Sequence, residues 1–314
     1  MRSARALTLV AGFLVLGLVP VVAALANQPF YLDLFRRIMI FAIAAVSLDL
    51  ILGFGGMVSF GHAAYLGIGA YAVAIPAFYG IHSGLVQWPL ALGLSGLAAL
   101  AIGAVSLRTS GVSFIMITLA FAQMLYYLGI SINAWGADDG MRLAQRSQFG
   151  GVVDLGNAYV FYYVVFGLLV ALLWLGHRLI HARFGVVIRA AKSNEPRMRA
   201  VGFPTFRYKL AAFVIAGAVG GLAGALLTNQ TEYLTPSFMH WTRSGDIMVM
   251  VILGGMGTLY GPVLGAVAFL LLEDILSAWT VHWQVVLGPL LVLVVLYARC
   301  GLYGLLPGAG ARDG

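Results

Sequence analysis

The chain has 314 residues, of which 61% are hydrophobic and 9% charged, and its net charge is +7. Soluble domains carry about 25% charged residues, so these proportions exclude a water-facing globular surface of ordinary size. The apolar residues run continuously rather than alternating over about ten residues, which excludes a transmembrane β-barrel. What remains is an all-α, polytopic transmembrane helical bundle. A spanning helix needs about 20 apolar residues, so the length admits roughly eight to ten spans.

In chain order the predicted spans cover 6–26, 37–54, 57–80, 87–107, 111–132, 159–180, 210–228, 244–259, 261–279 and 284–299. Arg2 and Arg5 precede the first, and Ala24-Leu25-Ala26 at its end looks like a signal-peptidase site; the expectation is a retained helix. The second span carries Ser47 and Asp49, and the third begins near Ser59 and His62. An acid near the bilayer centre costs about 2.5–3.5 kcal/mol on insertion scales, so such a residue faces a cavity or a partner. Asp49, Ser59 and His62 are therefore candidates for lining a translocation path, with a helix-packing hydrogen bond as the alternative.

Between the fifth and sixth spans, loop 133–158 holds Asp138, Asp139 and Gly140, candidates for touching a binding protein or gating the outer mouth, or else a solvated turn. The segment 178–209 then concentrates Arg178, Arg183, Arg189, Lys192, Arg197, Arg199, Arg207 and Lys209 against one acid, Glu195. By the positive-inside rule this loop is cytoplasmic, and most of the basic excess is explained without nucleic acid. Counting spans outward puts both chain ends inside, along with Arg108 and Arg299. Arg36-Arg37 falls outside, against the rule. Within the basic loop, Asn194 suits an N-cap, Glu195 and Pro196 a first turn, and Gly202 a left-handed C-terminal cap before Pro204. A short helix over 195–201 is predicted. It is either a docking knob for a protein partner or a basic loop on anionic lipid.

Farther along, Asp246 is expected to cap the eighth span, and Glu273 and Asp274 to reach water near the outer end of the ninth. Cys300, the single cysteine, admits no internal disulfide and no thiolate cluster. No metal site and no cofactor are expected. Small residues recur at spacings of three or four (Gly67, Gly217, Gly220, Gly221, Gly224, Gly261, Gly265), which suits close helix packing in lipid. Gly55-Gly56-Met57 with Phe60-Gly61 echoes Gly254-Gly255-Met256 with Tyr260-Gly261, marking two helix breaks at similar points of two hairpins.

Four stretches carry a resemblance. The longest runs from Ser193 to Ala225 and holds Asn194-Glu195-Pro196, Gly202-Phe203-Pro204 and the following glycines. The others are Leu50 to Tyr71 with Ser59-Phe60-Gly61-His62, then Gly136-Ala137-Asp138-Asp139-Gly140, and Ser244 to Pro262. In this order they resemble the branched-chain amino acid ABC transporter permease family, LivM type. Pro196-Arg197-Met198 departs from the Ala-rich helix formers of relatives. The resemblance implies one transmembrane permease domain over 1–314, with a cytoplasmic loop at about 181–209 that docks on an ATPase through Arg189, Asn194, Glu195, Arg199, Ala200 and Gly202. It implies as partners a second permease subunit, two ATP-binding subunits, a periplasmic or lipid-anchored substrate-binding protein and membrane lipid. The implied location is a bacterial inner membrane, and the implied role is import of branched-chain or related amino acids without enzymatic chemistry. A Walker A loop needs Gly-x-x-x-x-Gly-Lys before Ser or Thr. The lysines, Lys192 and Lys209, have no such setting, so energy must come from a partner or an ion gradient. An ion-coupled secondary transporter using Asp49 is the alternative. An intramembrane enzyme pairing His62 with Asp49 is the remote one, with no H-E-x-x-H pattern present.

Overall fold

The computed structural model describes residues 2–25, 28–150, 154–280, 282, 285–289, 291–292 and 301–304, with side chains from residue 12 onward. The predicted tenth span over 284–299 lies largely outside these residues. So do Arg299, Cys300, Ala26 of the cleavage-like tripeptide, and the side chains of Arg2 and Arg5.

The protein is an all-α membrane bundle. Its helices are α1 (Arg2–Leu25), α2 (Pro29–Asp49), α3 (His62–Phe78), α4 (Gly84–Ser106), α5 (Val112–Ser131), α6 (Ala158–His181), α7 (Arg183–Ser193), α8 (Glu195–Ala200), α9 (Thr205–Thr231), α10 (Trp241–Gly254) and α11 (Gly261–Trp279). Among the described residues six helices are long and apolar enough to cross a membrane: α2 with its extension to Phe54, α4, α5, α6, α9 and α11. Gly12–Leu25 and α3 are shorter apolar helices. The count is compatible with the eight to ten expected, but several spans are shorter than a bilayer crossing.

Burial separates a shaft from a shell. In the most apolar stretch of α2, 78% of residues are buried, and in α9 67%; in α5 the share is 22% and in α6 28%. A helix apolar on every side and still mostly buried is a bundle centre, and one whose leucines and valines face outward is lipid-facing. The helices α3 and α9 touch backbone to backbone. A methyl at Gly69 would strike the Gly221 carbonyl, and one at Gly224 the Leu66 carbonyl. This is the close approach that small residues permit in lipid.

One sequence expectation is corrected here. The helix expected from 244 begins at Trp241, where the His240 ring accepts from the Thr242 N–H; Asp246 therefore lies in the second turn and does not cap. Glu273 and Asp274 are both partly exposed, and Glu273 pairs with Arg37 at 3.2 Å. A helix unmarked in the sequence reading, α7, fills the basic loop before α8.

Candidate functional site

The centre of the molecule is a broken helix. α2 widens at its end into a π-helical turn, Leu50–Phe54, and the chain then leaves helical geometry until α3 starts at His62. Gly56 takes a left-handed conformation (φ 68°) that allows the departure. Irregular backbone at membrane depth is tolerated only where protein or a water-filled cavity satisfies it. Here several of the donors are matched individually. Met57 N–H reaches Ile51 O at 2.8 Å, Phe60 N–H the Thr118 hydroxyl at 3.3 Å, Gly61 N–H the Ser59 hydroxyl at 3.2 Å, and Ala63 N–H the Ser244 hydroxyl at 2.9 Å. Ser244 is fully buried, as are His62, Ala63 and Ala64. The first turn of α3 is thus inside the bundle.

The predicted path residues take distinct places on this break. Ser59 is fully buried and its hydroxyl turns back onto its own loop. His62 is fully buried, with Nε2 2.7 Å from Ser47 Oγ. Ser47 also donates to the Ala44 carbonyl at 2.7 Å. With the single hydroxyl proton spent there, the imidazole must donate through Nε2–H, and its buried Nδ1 has no partner. Asp49 is 1% exposed; Oδ1 accepts the Gly257 N–H at 2.9 Å, while Oδ2 has no partner. A cavity of about 50 Å³ lined by α2, α6 and α9 adjoins it. His62 and Asp49 thus engage separate partners rather than each other.

Gly257 belongs to the second glycine break, Gly255–Tyr260, between α10 and α11. The two breaks that echo each other in sequence meet in space. A methyl at Gly53 would strike both Asp49 Oδ1 and the Gly257 nitrogen. Onto this junction α7 places Lys192, whose ammonium donates to the Gly53 carbonyl at 2.6 Å.

Beyond Lys192 the chain turns into α8. Asn194 Oδ1 accepts the Arg197 N–H at 3.0 Å, and Gly202 closes the helix at φ 95°. Glu195 ties α8 to α9: it accepts from Arg199 at 2.7 Å, from Thr205 at 3.0 Å, and from Lys209. Partial burial alone would push the Glu195 carboxyl up, but donation from Lys209 and Arg199 outweighs it and holds the group below its ordinary value. Arg189 points back to the α6–α7 corner, toward the Ile180 carbonyl at 3.3 Å, and Ala200 is exposed.

At the opposite end, Asp138 and Asp139 are exposed and far from the break. The Asp139 carbonyl accepts the Tyr233 hydroxyl, and Gly140 (φ 77°) leads into a two-residue ladder pairing Met141–Arg142 with Tyr233–Leu234. Arg146 to Glu232 at 3.0 Å adds a second tie between the two loops. Arg36 and Arg37 are here as well. Arg36 is 2% exposed, pairs with Asp33 and lies 4.7 Å over the Phe161 ring.

The sequence reading missed Lys192, Gly257, Thr118 and Ser244. The repeated Gly-Gly-Met marked both breaks; nothing in sequence said that they touch. Among the described residues no group of three or more His, Cys, Asp or Glu is arranged to hold a metal.

Comparison with known proteins now bears on this geometry. Residues 30–296 match the family described as branched-chain amino acid transport system, permease component. Over 296 residues the chain is 27% identical to the high-affinity branched-chain amino acid transport system permease protein LivM of Salmonella typhimurium, covering 86% of this chain and 69% of that protein. It is 27% identical over 292 residues to the LivH permease protein of Escherichia coli, covering 84% of this chain and 91% of that one. The L-arabinose ABC transporter permease protein AraH of Azospirillum brasilense is 25% identical over 273 residues, covering 82% and 74%. No solved structure matches the chain significantly.

Proposed function

We propose that this chain, which belongs to the branched-chain amino acid transport system permease family, is the membrane subunit of an ABC importer for branched-chain or related amino acids. It lies in a bacterial cytoplasmic membrane with α7 and α8 on the cytoplasmic side. A second, related permease completes the path, two ATP-binding subunits dock at α7–α8, and a substrate-binding protein delivers cargo to the opposite face. The LivM and LivH relatives, both matched over most of this chain, support the paired arrangement.

One observation carries the coupling: Lys192 of α7 grips the Gly53 carbonyl in the π-turn, next to the Asp49–Gly257 contact. An ATPase that shifts α8 moves α7 through its short link at Asn194. The Lys192 grip carries that displacement to the end of α2 and to the non-helical segment 55–61. That segment is the natural gate, because its backbone is held by scattered contacts to the Ile51 carbonyl and to single side-chain hydroxyls rather than by a helical ladder. The chain itself performs no chemistry.

The test is ATP hydrolysis and uptake in the assembled complex. Lys192→Met, Glu195→Ala and Gly202→Trp should each uncouple substrate-stimulated hydrolysis from uptake, with the complex still assembled for Lys192→Met. Unchanged hydrolysis and uptake in all three would sink the docking role. The unpartnered Asp49 Oδ2 favours an ion-coupled reading instead; purified chain alone in liposomes that accumulates substrate on an ion gradient would establish it.

A further inference from the structure

α5 is the least buried of the six membrane-crossing helices, yet its outward face is unlike a lipid-facing one. Its buried stripe is Phe114, Thr118, Ala122 and Gly129. At about 3.6 residues per turn, the opposite face carries Ser113, Met116, Ala120, Gln123 and Tyr127. Four of these are exposed and Gln123 is partly exposed. Gln123 lies within two residues of the middle of Val112–Ser131. A primary amide at that depth finds no hydrogen-bond partner in hydrocarbon and is strongly disfavoured there. The outward faces of α4 and α6 differ. Leu94, Leu97 and Leu100 are exposed on α4, and Val170, Trp174 and Leu175 on α6, and neither helix exposes an amide. On its buried side α5 backs the broken helix, where the Thr118 hydroxyl accepts the Phe60 N–H at 3.3 Å.

We propose that the outward face of α5 is the seat of the second permease, and that a helix of that subunit crosses it; this rests on the paired-permease reading above. The amide argues for protein over lipid. Gln123 offers two donors and an acceptor oxygen, which a facing helix satisfies with a polar side chain or a bared carbonyl. The spacing argues for a helix. Positions 113, 116, 120, 123 and 127 advance by three and four in turn. This is the repeat of about 3.5 residues that keeps one helix seam facing another at a shallow left-handed crossing. Met116 adds an adaptable thioether that fills an irregular gap against an unlike neighbour. One consequence concerns the gate. Thr118 and Gln123 are five residues apart, about 7.5 Å along the axis, so a single rigid helix has segment 55–61 on one side and the partner on the other. Movement of the partner reaches this gate through α5, and the two subunits open together.

The experiment places the photo-crosslinking residue p-benzoylphenylalanine at Met116 or Ala120 and, as controls, at Leu97 of α4 or Val170 of α6, in membranes that hold the assembled transporter. Adducts with a permease related in sequence to this chain, identified by mass spectrometry, are expected from the two α5 positions and not from the controls. Gln123→Leu should weaken recovery of that permease about three- to thirtyfold, the range of one interhelical hydrogen bond in lipid. Ala120→Trp should abolish it, with the melting temperature of the isolated chain unchanged in both variants. Adducts with lipid alone, or with a second copy of this chain, would overturn the proposal. So would labelling of Gln123→Cys by a water-soluble thiol reagent in a Cys300→Ser background, which would put this face on the water-filled path. Adducts with a related permease from α4 or α6 but not from α5 would defeat this face and leave the paired reading standing. A chain that crosslinks to no permease from any position, and purifies alone from membranes active in uptake, would defeat the paired reading itself.

Discussion

Both ends of this bundle hold ion pairs, Glu195 with Arg199 and Lys209 at one and Arg146 with Glu232 at the other, but they differ at the helix breaks, which lie toward the first. At the α7–α8 end, side chains grip the backbone of other helices: Lys192 takes the Gly53 carbonyl and Asp49 the Gly257 N–H. At the other end, side chain meets side chain, in Arg37–Glu273, Arg243–Asp246 and Arg146–Glu232. A grip on backbone ties the position of one helix axis to another, because the gripped group cannot rotate away. An ion pair between long side chains can open and re-form without moving either helix, and where exposed it contributes about 0–1 kcal/mol. The backbone grips at the breaks are therefore suited to transmit displacement, and the ion pairs to admit exchange.

The comparison breaks most sharply at Gly53→Val. The added carbon meets Asp49 and the Gly257 backbone with no flexible group to yield. Overpacking of this kind costs about 1–3 kcal/mol or more. Uptake should be lost and the melting temperature of the purified protein should fall further than for any variant at the opposite end. A retained melting temperature would show that the two breaks do not press on each other.

Asp49 sharpens it at a finer level. Asp49→Ala leaves the Gly257 N–H buried without an acceptor, a loss of about 1–3 kcal/mol, whereas Asp49→Asn keeps the acceptor and removes the charge. Thermal denaturation should rank the alanine variant well below the asparagine variant. Equal losses would mean that the charge, and not the grip, is what matters, which would favour ion coupling.

The smallest effect is pH-dependent. The Glu195 carboxyl is depressed in the folded protein by Lys209 and Arg199, so its stabilising contribution is present above the ordinary carboxylate value and lost as pH falls through the depressed one. The melting temperature of the wild type should exceed that of Glu195→Gln at neutral pH, and the difference should close only in acid. A gap independent of pH would assign Glu195 a packing role.

What could be read from sequence was what is local. Asn194 and Gly202 mark the ends of α8 because cap chemistry acts within a turn, and the helix stands at Glu195–Ala200 as that chemistry dictates. The all-α membrane bundle follows from composition. What escaped was pairing across the chain: Lys192 lies 139 residues from Gly53 and Arg37 lies 236 from Glu273. Hydropathy marks α10 as apolar, but not that His240 starts it early and moves Asp246 off the cap. Nor does it register that a span can stop halfway, as the chain does between Phe54 and His62.

That halfway stop sets a schedule for biosynthesis. The Ala63 N–H is satisfied by Ser244, 181 residues later in the chain. At a synthesis rate of about 5–20 residues per second, roughly ten to forty seconds pass between the two leaving the ribosome. Throughout that interval the start of α3 must keep water or the translocation machinery as its hydrogen-bond partner. The α2–α3 hairpin is thus among the first made and among the last to be sealed from water.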